Sequence, residues 1–195
     1  MPEKRKSLSS YISPKYWPIW FFVGILRIIC LLPSKLPLII GKLFGRVAHY
    51  FSNSRRLIIK RNIELCFPNL SPLEKKSLVL EHFKALGMML VEMGLGRWAS
   101  DKYLKSITLI NGIDYLKKAQ KDGHGVILLS AHFTTLEISG RVLAAEGLLF
   151  DSVYRKNKNK FIDEIQRSGR ERSVVETIEK QDIKKMVRNL RAGRT

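Results

Sequence analysis

Two residues carry the strongest chemical suggestion in this chain. His132 and Glu137 lie five apart in Ser130-Ala131-His132-Phe133-Thr134-Thr135-Leu136-Glu137. The stretch follows the apolar run Val126 to Ser130 and precedes a helical pattern. That arrangement puts His132 in the loop beyond a strand's carboxyl end, the edge of an open α/β sheet where ligands bind. On one continuous helix, residues five apart would face different ways. With His132 in a loop and Glu137 in the first helical turn, both can turn toward one spot. The carboxylate then accepts one imidazole N–H and fixes the tautomer, leaving the other ring nitrogen to take a proton. A substrate hydroxyl activated in this way needs no Ser or Cys nucleophile. The plainer alternative is a capping box, Thr134 to Glu137, in which Glu137 serves only the helix end and His132 is an ordinary loop residue. Spacing alone leaves both open.

Few other side chains compete. His49 falls in an amphipathic stretch, His82 beside the apolar face of a polar helix, and His124 in a Gly-flanked turn, each more suited to structure than to chemistry. Cys30 lies inside an apolar run and Cys66 in Leu-Cys-Phe-Pro. Their spacing gives neither a metal site nor a disulfide framework, and both read as packed thiols in a reducing compartment. No cofactor and no metal are implied, since nothing clusters as ligands.

The elements that must position His132 and Glu137 follow from the pattern around them. The chain has 195 residues, 45% hydrophobic and 27% charged, enough for one folded domain with a sizeable core. Its net charge of +18 favours polyanionic partners: nucleic acid, anionic lipid headgroups or an acidic carrier protein. The N-terminus chooses among these. Tyr16 to Leu32 is nearly continuous in apolar residues and approaches the length of a bilayer span, with Trp17 and Trp20 placed as an interfacial aromatic belt. Arg27 interrupts it, and a charge in mid-membrane is costly. Basic residues flank the run on both sides, Lys4, Arg5, Lys6 and Lys15 before it and Lys35, Lys42, Arg46, Arg55 and Arg56 after. This suits an anchor resting on an anionic leaflet. A nucleic-acid binder would instead interleave exposed aromatics with its basic residues, so no nucleic-acid partner is expected.

Leu38 to Phe51 reads as an amphipathic interfacial helix. Ser71-Pro72-Leu73-Glu74 is a capping-box start for a helix running to about Trp98. Ile107 to Ile110, Val126 to Ser130 and Leu148 to Tyr154 read as buried strands. Helices are expected around Ile113 to Lys121, Thr135 to Glu146, Lys160 to Ser168 and Asp182 to Arg191. Such alternation implies an α/β fold, a mostly parallel sheet flanked by helices. It is preceded by a hydrophobic membrane-anchor helix and amphipathic helices. The expected division is an anchor and interfacial helix over 1–52 and an α/β domain over 53–195. The last residues, Ala192-Gly193-Arg194-Thr195, follow a basic helix where a further strand is due, so the domain is expected to be incomplete at its C-terminal end.

Four segments together resemble a known family. GVILLSAHFTTLEISGRVL resembles the His-x4-Asp/Glu block of the lysophospholipid acyltransferase superfamily, in particular the late acyltransferases of lipid A biosynthesis. Arg61-Asn62 through Cys66-Phe67-Pro68 to Ser71, Glu92-Met93-Gly94 before Trp98, and Val153-Tyr154-Arg155 with Arg167-x-Gly169-Arg170 are similar to further family segments in the same order. The sequence departs from the family where Lys156 replaces a proline. The resemblance implies direct transfer of a fatty acyl chain from acyl-acyl carrier protein to a hydroxyl of a lipid A precursor. His132 is the implied general base and Glu137 its orienting carboxylate. Arg155 and Arg170 are implied to bind substrate phosphate or the developing oxyanion, against the alternative of a solvated basic face. The implied location is the cytoplasmic face of the bacterial inner membrane, with the membrane surface itself a partner. Another acyltransferase of the superfamily, acting on lysophospholipid or a different glycolipid, is the nearer rival.

Overall fold

A computed structural model describes residues 8–33, 35–131 and 133–195. The described residues are mostly helical. In chain order they form α1 (Trp17–Cys30), α2 (Leu36–Phe51), α3 (Asn53–Cys66), α4 (Pro72–Trp98), α5 (Asp101–Ile107), α6 (Ile113–Lys121), α7 (Leu136–Ala145), β1 (Asp151–Tyr154), α8 (Lys160–Arg170), β2 (Glu176–Glu179) and α9 (Ile183–Arg191).

The long α4 is the spine of the molecule, and its start is written in the sequence. Ser71 Oγ accepts from the Glu74 backbone N–H at 3.3 Å, and the Glu74 carboxylate accepts from the Ser71 N–H at 2.7 Å. Pro72 occupies the first helical turn, where its missing N–H costs nothing. The Ser71 hydroxyl also donates to the Glu74 carboxylate at 2.7 Å, and this bond together with that from the Ser71 N–H holds the Glu74 carboxyl below the usual carboxylate range, because both stabilise the charged form.

Against α4 lies α2, with the two backbones in direct contact. A Cβ placed on Gly87 would stand 2.1 Å from the Gly41 carbonyl oxygen, and one on Gly45 would stand 2.1 Å from that of Phe83. No side chain larger than hydrogen fits at these positions, so three glycines set the approach of the two helices. On its other faces α4 buries Val91 and Leu95 against Ile29 of α1, Leu104 of α5 and Ile138 and Val142 of α7. A second cluster, Ile59, Ile63, Val79 and Phe83, closes α3 onto the first half of α4.

Several expectations are corrected. The run Ile107 to Ile110 is no strand: Ile107 ends α5, a helix the apolar run concealed, and the chain then turns irregular. Val126 to Ser130 forms no strand either. It meets a neighbour through the Val126 N–H, which donates to Arg194 O at 3.2 Å, while Ile127 and Leu129 are 75% and 96% exposed. A strand needs a ladder partner along its length, and among the described residues that run has none. Of Leu148 to Tyr154, only Asp151–Tyr154 is strand. Its parallel partner is β2, with Asp151 opposite Glu176 and Tyr154 opposite Glu179. The mostly parallel sheet is thus a two-stranded one.

The N-terminal segment also differs from a simple span. Among the described residues no helix is long and apolar enough to cross a membrane. α1 has 14 residues, and at 1.5 Å per residue such a helix reaches about 21 Å, short of the roughly 30 Å hydrocarbon core. Trp20 does not serve as a free belt residue. Its Nε1 donates to Tyr11 O at 2.8 Å, and its ring packs with Tyr11 and Tyr16 around Phe161 at the start of α8. Trp17 remains 62% exposed. Cys30 is a packed thiol, pushed up to about 11 by burial, but Cys66 is exposed. α3, unforeseen, fills the stretch between α2 and the capping box.

Candidate functional site

The site is built where the first turn of α7 meets the last turn of α8. α7 begins at Leu136 after Thr135, whose side chain makes no capping bond. Glu137 looks across to Arg170, the final residue of α8. Arg170 Nε donates to both carboxylate oxygens at 3.0 Å, and its terminal Nη2 also reaches Oε1. The pair is partly enclosed, the two side chains retaining 26% and 23% of their exposure. The carboxylate beside it raises the Arg170 guanidinium further above its ordinary range. A guanidinium fork of this kind fixes a carboxylate in orientation as well as in charge.

α8 is itself held at both ends. Asn159 caps it by accepting from the Phe161 and Ile162 N–H groups, and Phe161 is fully buried in the aromatic cluster from the N-terminal segment. At the other end, Arg97 from the last turn of α4 donates to Ile165 O at 3.1 Å and to Ser168 Oγ at 2.7 Å. Gly169 lies beside that guanidinium, at ordinary contact distance: a Cβ there would stand 3.7 Å from Arg97 Nη1. Arg172 in turn donates to the Arg97 carbonyl. Burial, and next to it the Arg172 charge, lower the Arg97 guanidinium from its ordinary value.

The structure therefore brings two of the four sequence-derived candidates together, Glu137 and Arg170. Arg155 stands exposed just beyond β1. His132 lies outside the described residues. Sequence reasoning missed Arg97, which ties α4 to α8, and Arg141, which is buried on α7 and paired with Asp101. It quoted Glu92 as part of a motif without seeing that its carboxyl is buried. Nothing local signals any of the three.

The family model for bacterial lipid A biosynthesis acyltransferase matches residues 4–195. The chain belongs to that family. It is 35% identical over 189 residues to a lipid A biosynthesis acyltransferase of Haemophilus influenzae, covering 95% of this chain and 59% of that protein. To the lipid A biosynthesis lauroyltransferase of Escherichia coli K12 it is 32% identical over 190 residues, covering 96% of this chain and 61% of the relative. The palmitoleoyltransferase of the same organism is 33% identical over 183 residues, with 94% and 60% covered. This family member spans about 60% of the length of the curated relatives it matches. No solved structure matches it significantly.

The geometry lends itself to a definite chemical use. A carboxylate gripped by a guanidinium cannot swing away, and its remaining lone pairs point in fixed directions. Such a group can hold an imidazole in one tautomer without taking the proton itself.

Proposed function

We propose that this protein is an acyltransferase that moves a fatty acyl chain from acyl-acyl carrier protein to a hydroxyl of a lipid A precursor. The observation that carries the reading is the Glu137–Arg170 pair. In a chain of this family, it fixes the carboxylate five residues beyond His132. In this reading His132 is the general base. It takes the proton as the acceptor hydroxyl oxygen attacks the thioester carbon, then returns it to the departing thiolate. One C–O bond forms, one C–S bond breaks, and no covalent enzyme intermediate intervenes. Glu137 orients the base, and Arg170 keeps Glu137 in place. Arg155, exposed on the same chain segment as β1, is free to meet a phosphate of the acceptor.

The same reading places the protein on the cytoplasmic leaflet of the inner membrane. Support comes from the exposed apolar side chains Phe21, Ile28, Ile39, Leu43, Val47 and Leu57, spread over α1, α2 and α3. Lys15, Arg27, Lys35, Lys42 and Arg46 are exposed along the same segment. A face of this composition rests in the headgroup region of an anionic bilayer, its rings and aliphatics buried and its charges at the phosphates. The overall positive charge also suits an acidic carrier protein and a phosphorylated acceptor.

The test is acyl transfer by the full-length protein in membranes, followed with a radiolabelled acyl chain on carrier protein. His132→Ala should lower turnover by about 10²–10⁴-fold, the range for loss of a general base. Turnover at the wild-type rate would remove His132 from the reaction.

A further inference from the structure

Three guanidiniums gather around Trp98, the last residue of α4. α1 approaches α4 closely there: a Cβ on Gly94 would meet Cys30 Sγ at 2.7 Å and Leu26 Cγ at 2.9 Å. With Leu26 so placed, Arg27 stands over the Trp98 ring, its Cζ 5.4 Å from the centroid. Arg97 Cζ lies 5.9 Å from the same centroid. Arg172, just past α8, donates to the Arg97 carbonyl and is near enough for its charge to disfavour that of Arg97.

The acids of this region are occupied elsewhere. Glu164, whose charge also reaches Arg97, accepts from Arg167 Nη2 at 2.8 and 2.6 Å, and Glu137 is held by Arg170. Among the described residues, Arg27, Arg97 and Arg172 make no ion pair, and Arg27 donates no hydrogen bond. Arg97 and Arg172 each use only Nη1, on carbonyl and hydroxyl oxygens. Arg27 and Arg172 are exposed and Arg97 is half-buried. Several N–H donors therefore face outward from one place, and the positive charge there has no counter-charge.

The cluster adjoins the Glu137–Arg170 clamp through two helices. On α4, Gly96 lies beside the Glu137 carbonyl oxygen, where a Cβ would stand 3.4 Å away. On α8, Gly169 lies beside Arg97 and Arg170 follows it. Three positive charges match a phosphomonoester, which carries nearly two negative charges at neutral pH, better than a carboxylate or phosphodiester with one. Guanidinium forks offer phosphate oxygens paired donors. Arg27 belongs to α1, so the cluster reaches the face read above as resting in the headgroup region. A charge that interrupts an apolar helix is costly unless it has an anion to meet.

We propose that Arg27, Arg97 and Arg172 form a binding site for a phosphomonoester of the lipid acceptor, in addition to Arg155. The inference rests on the acyltransferase reading above and concerns how the same site holds its acceptor.

The experiment measures binding and needs no turnover. Full-length protein in uncharged detergent, without phospholipid or carrier protein, is titrated with radiolabelled lipid A precursor and with the same lipid stripped of its phosphates by a phosphatase. Wild type should bind the phosphorylated form about tenfold or more tightly, as charge-assisted hydrogen bonds to phosphate allow. Arg172→Gln should remove most of that preference and leave affinity for the stripped lipid within about twofold. Arg27→Gln should reduce the preference as well, and Arg172→Lys, which keeps the charge, should retain part of it. Adding phosphatidylglycerol to the micelles should leave the wild-type preference in place; its disappearance would assign the arginines to bulk headgroups and overturn the proposal. So would a wild-type protein without preference, a preference that survives both glutamine substitutions, or an equal loss of affinity for both lipids. Should Arg172→Gln fail to fold, Arg27→Gln decides: a reduced preference supports the site, a wild-type preference refutes it. If wild type transfers no acyl chain from carrier protein, the acyltransferase reading itself fails; if transfer proceeds and neither arginine matters to the preference, only the phosphate site falls.

Discussion

The contact of α2 with α4 and the contact of α7 with α8 solve different problems. The first is backbone on backbone, with Gly41, Gly45 and Gly87 admitting nothing between the helices. It leaves little freedom of adjustment. The second is made through an ion pair at the helix ends, Glu137 with Arg170. Close packing gives the fold its rigidity, because interiors at crystal-like density tolerate little change in volume. A polar clamp on partly enclosed side chains contributes little to stability but fixes one carboxylate in space. The two contacts therefore differ in kind: one is fixed by the shape of the backbones, the other by a charged pair.

That difference can be tested from either side. Glu137→Gln should lower acyl transfer about a hundredfold or more, in the range for disabling acid–base assistance. It should leave the melting temperature within a few degrees, since a partly exposed ion pair is worth about 1 kcal/mol or less. A large drop in melting temperature would show that the clamp is structural after all. Gly87→Ala is the converse. Its Cβ would fall 2.1 Å from the Gly41 carbonyl oxygen, so overpacking should cost about 1–3 kcal/mol or more and lower the melting temperature by several degrees. The fraction that remains folded should retain its kcat. Ser71→Ala removes one side of the capping box and should destabilise by about 1 kcal/mol, measured by denaturant unfolding, again without touching kcat. The smallest effect is a pH dependence. Because Glu92 has a raised carboxyl pKa in the folded state, wild type should lose stability relative to Glu92→Gln as pH rises above the ordinary carboxylate range. The gap should level off once the raised value is passed, and vanish at pH below both values. Unfolding curves of the two proteins across pH would show it; parallel curves would argue that Glu92 is solvated.

How far the sequence reveals this arrangement depends on whether each signal is local. α4 was legible from Ser71-Pro72-Leu73-Glu74 because a capping box is complete within four residues. α6, α7, α8 and α9 were legible within a residue or two for the same reason of short-range periodicity. The strands were not. Ile107 to Ile110 and Val126 to Ser130 have the composition of buried strands, but composition does not supply a pairing partner. β2 reads Glu-Thr-Ile-Glu, too polar for an apolar-run criterion, and its acids are explained only by distant partners: Glu176 meets Lys185, Asn189 and Arg194. At the site, Glu137 was legible by its spacing from His132. Its partner was not, because Arg170 is 33 residues away and reaches it only once α8 is docked. Glu92 is the clearest case of what one-dimensional reading misses. Its neighbours Val91 and Leu95 mark a buried face, and nothing in that pattern says that an acid shares it.

The account turns on Glu137 and Arg170 acting as one unit, and a double-mutant cycle on acyl-transfer rate tests that most directly. Turnover of Glu137→Gln, Arg170→Gln and the double variant would be compared with wild type in the full-length protein. If the guanidinium works by holding the carboxylate, the double variant should be no slower than the worse single one, within about twofold, as for residues that act together. Losses that multiply, so that the double variant falls by the product of the two singles, would show the two side chains working independently and would contradict the site described here.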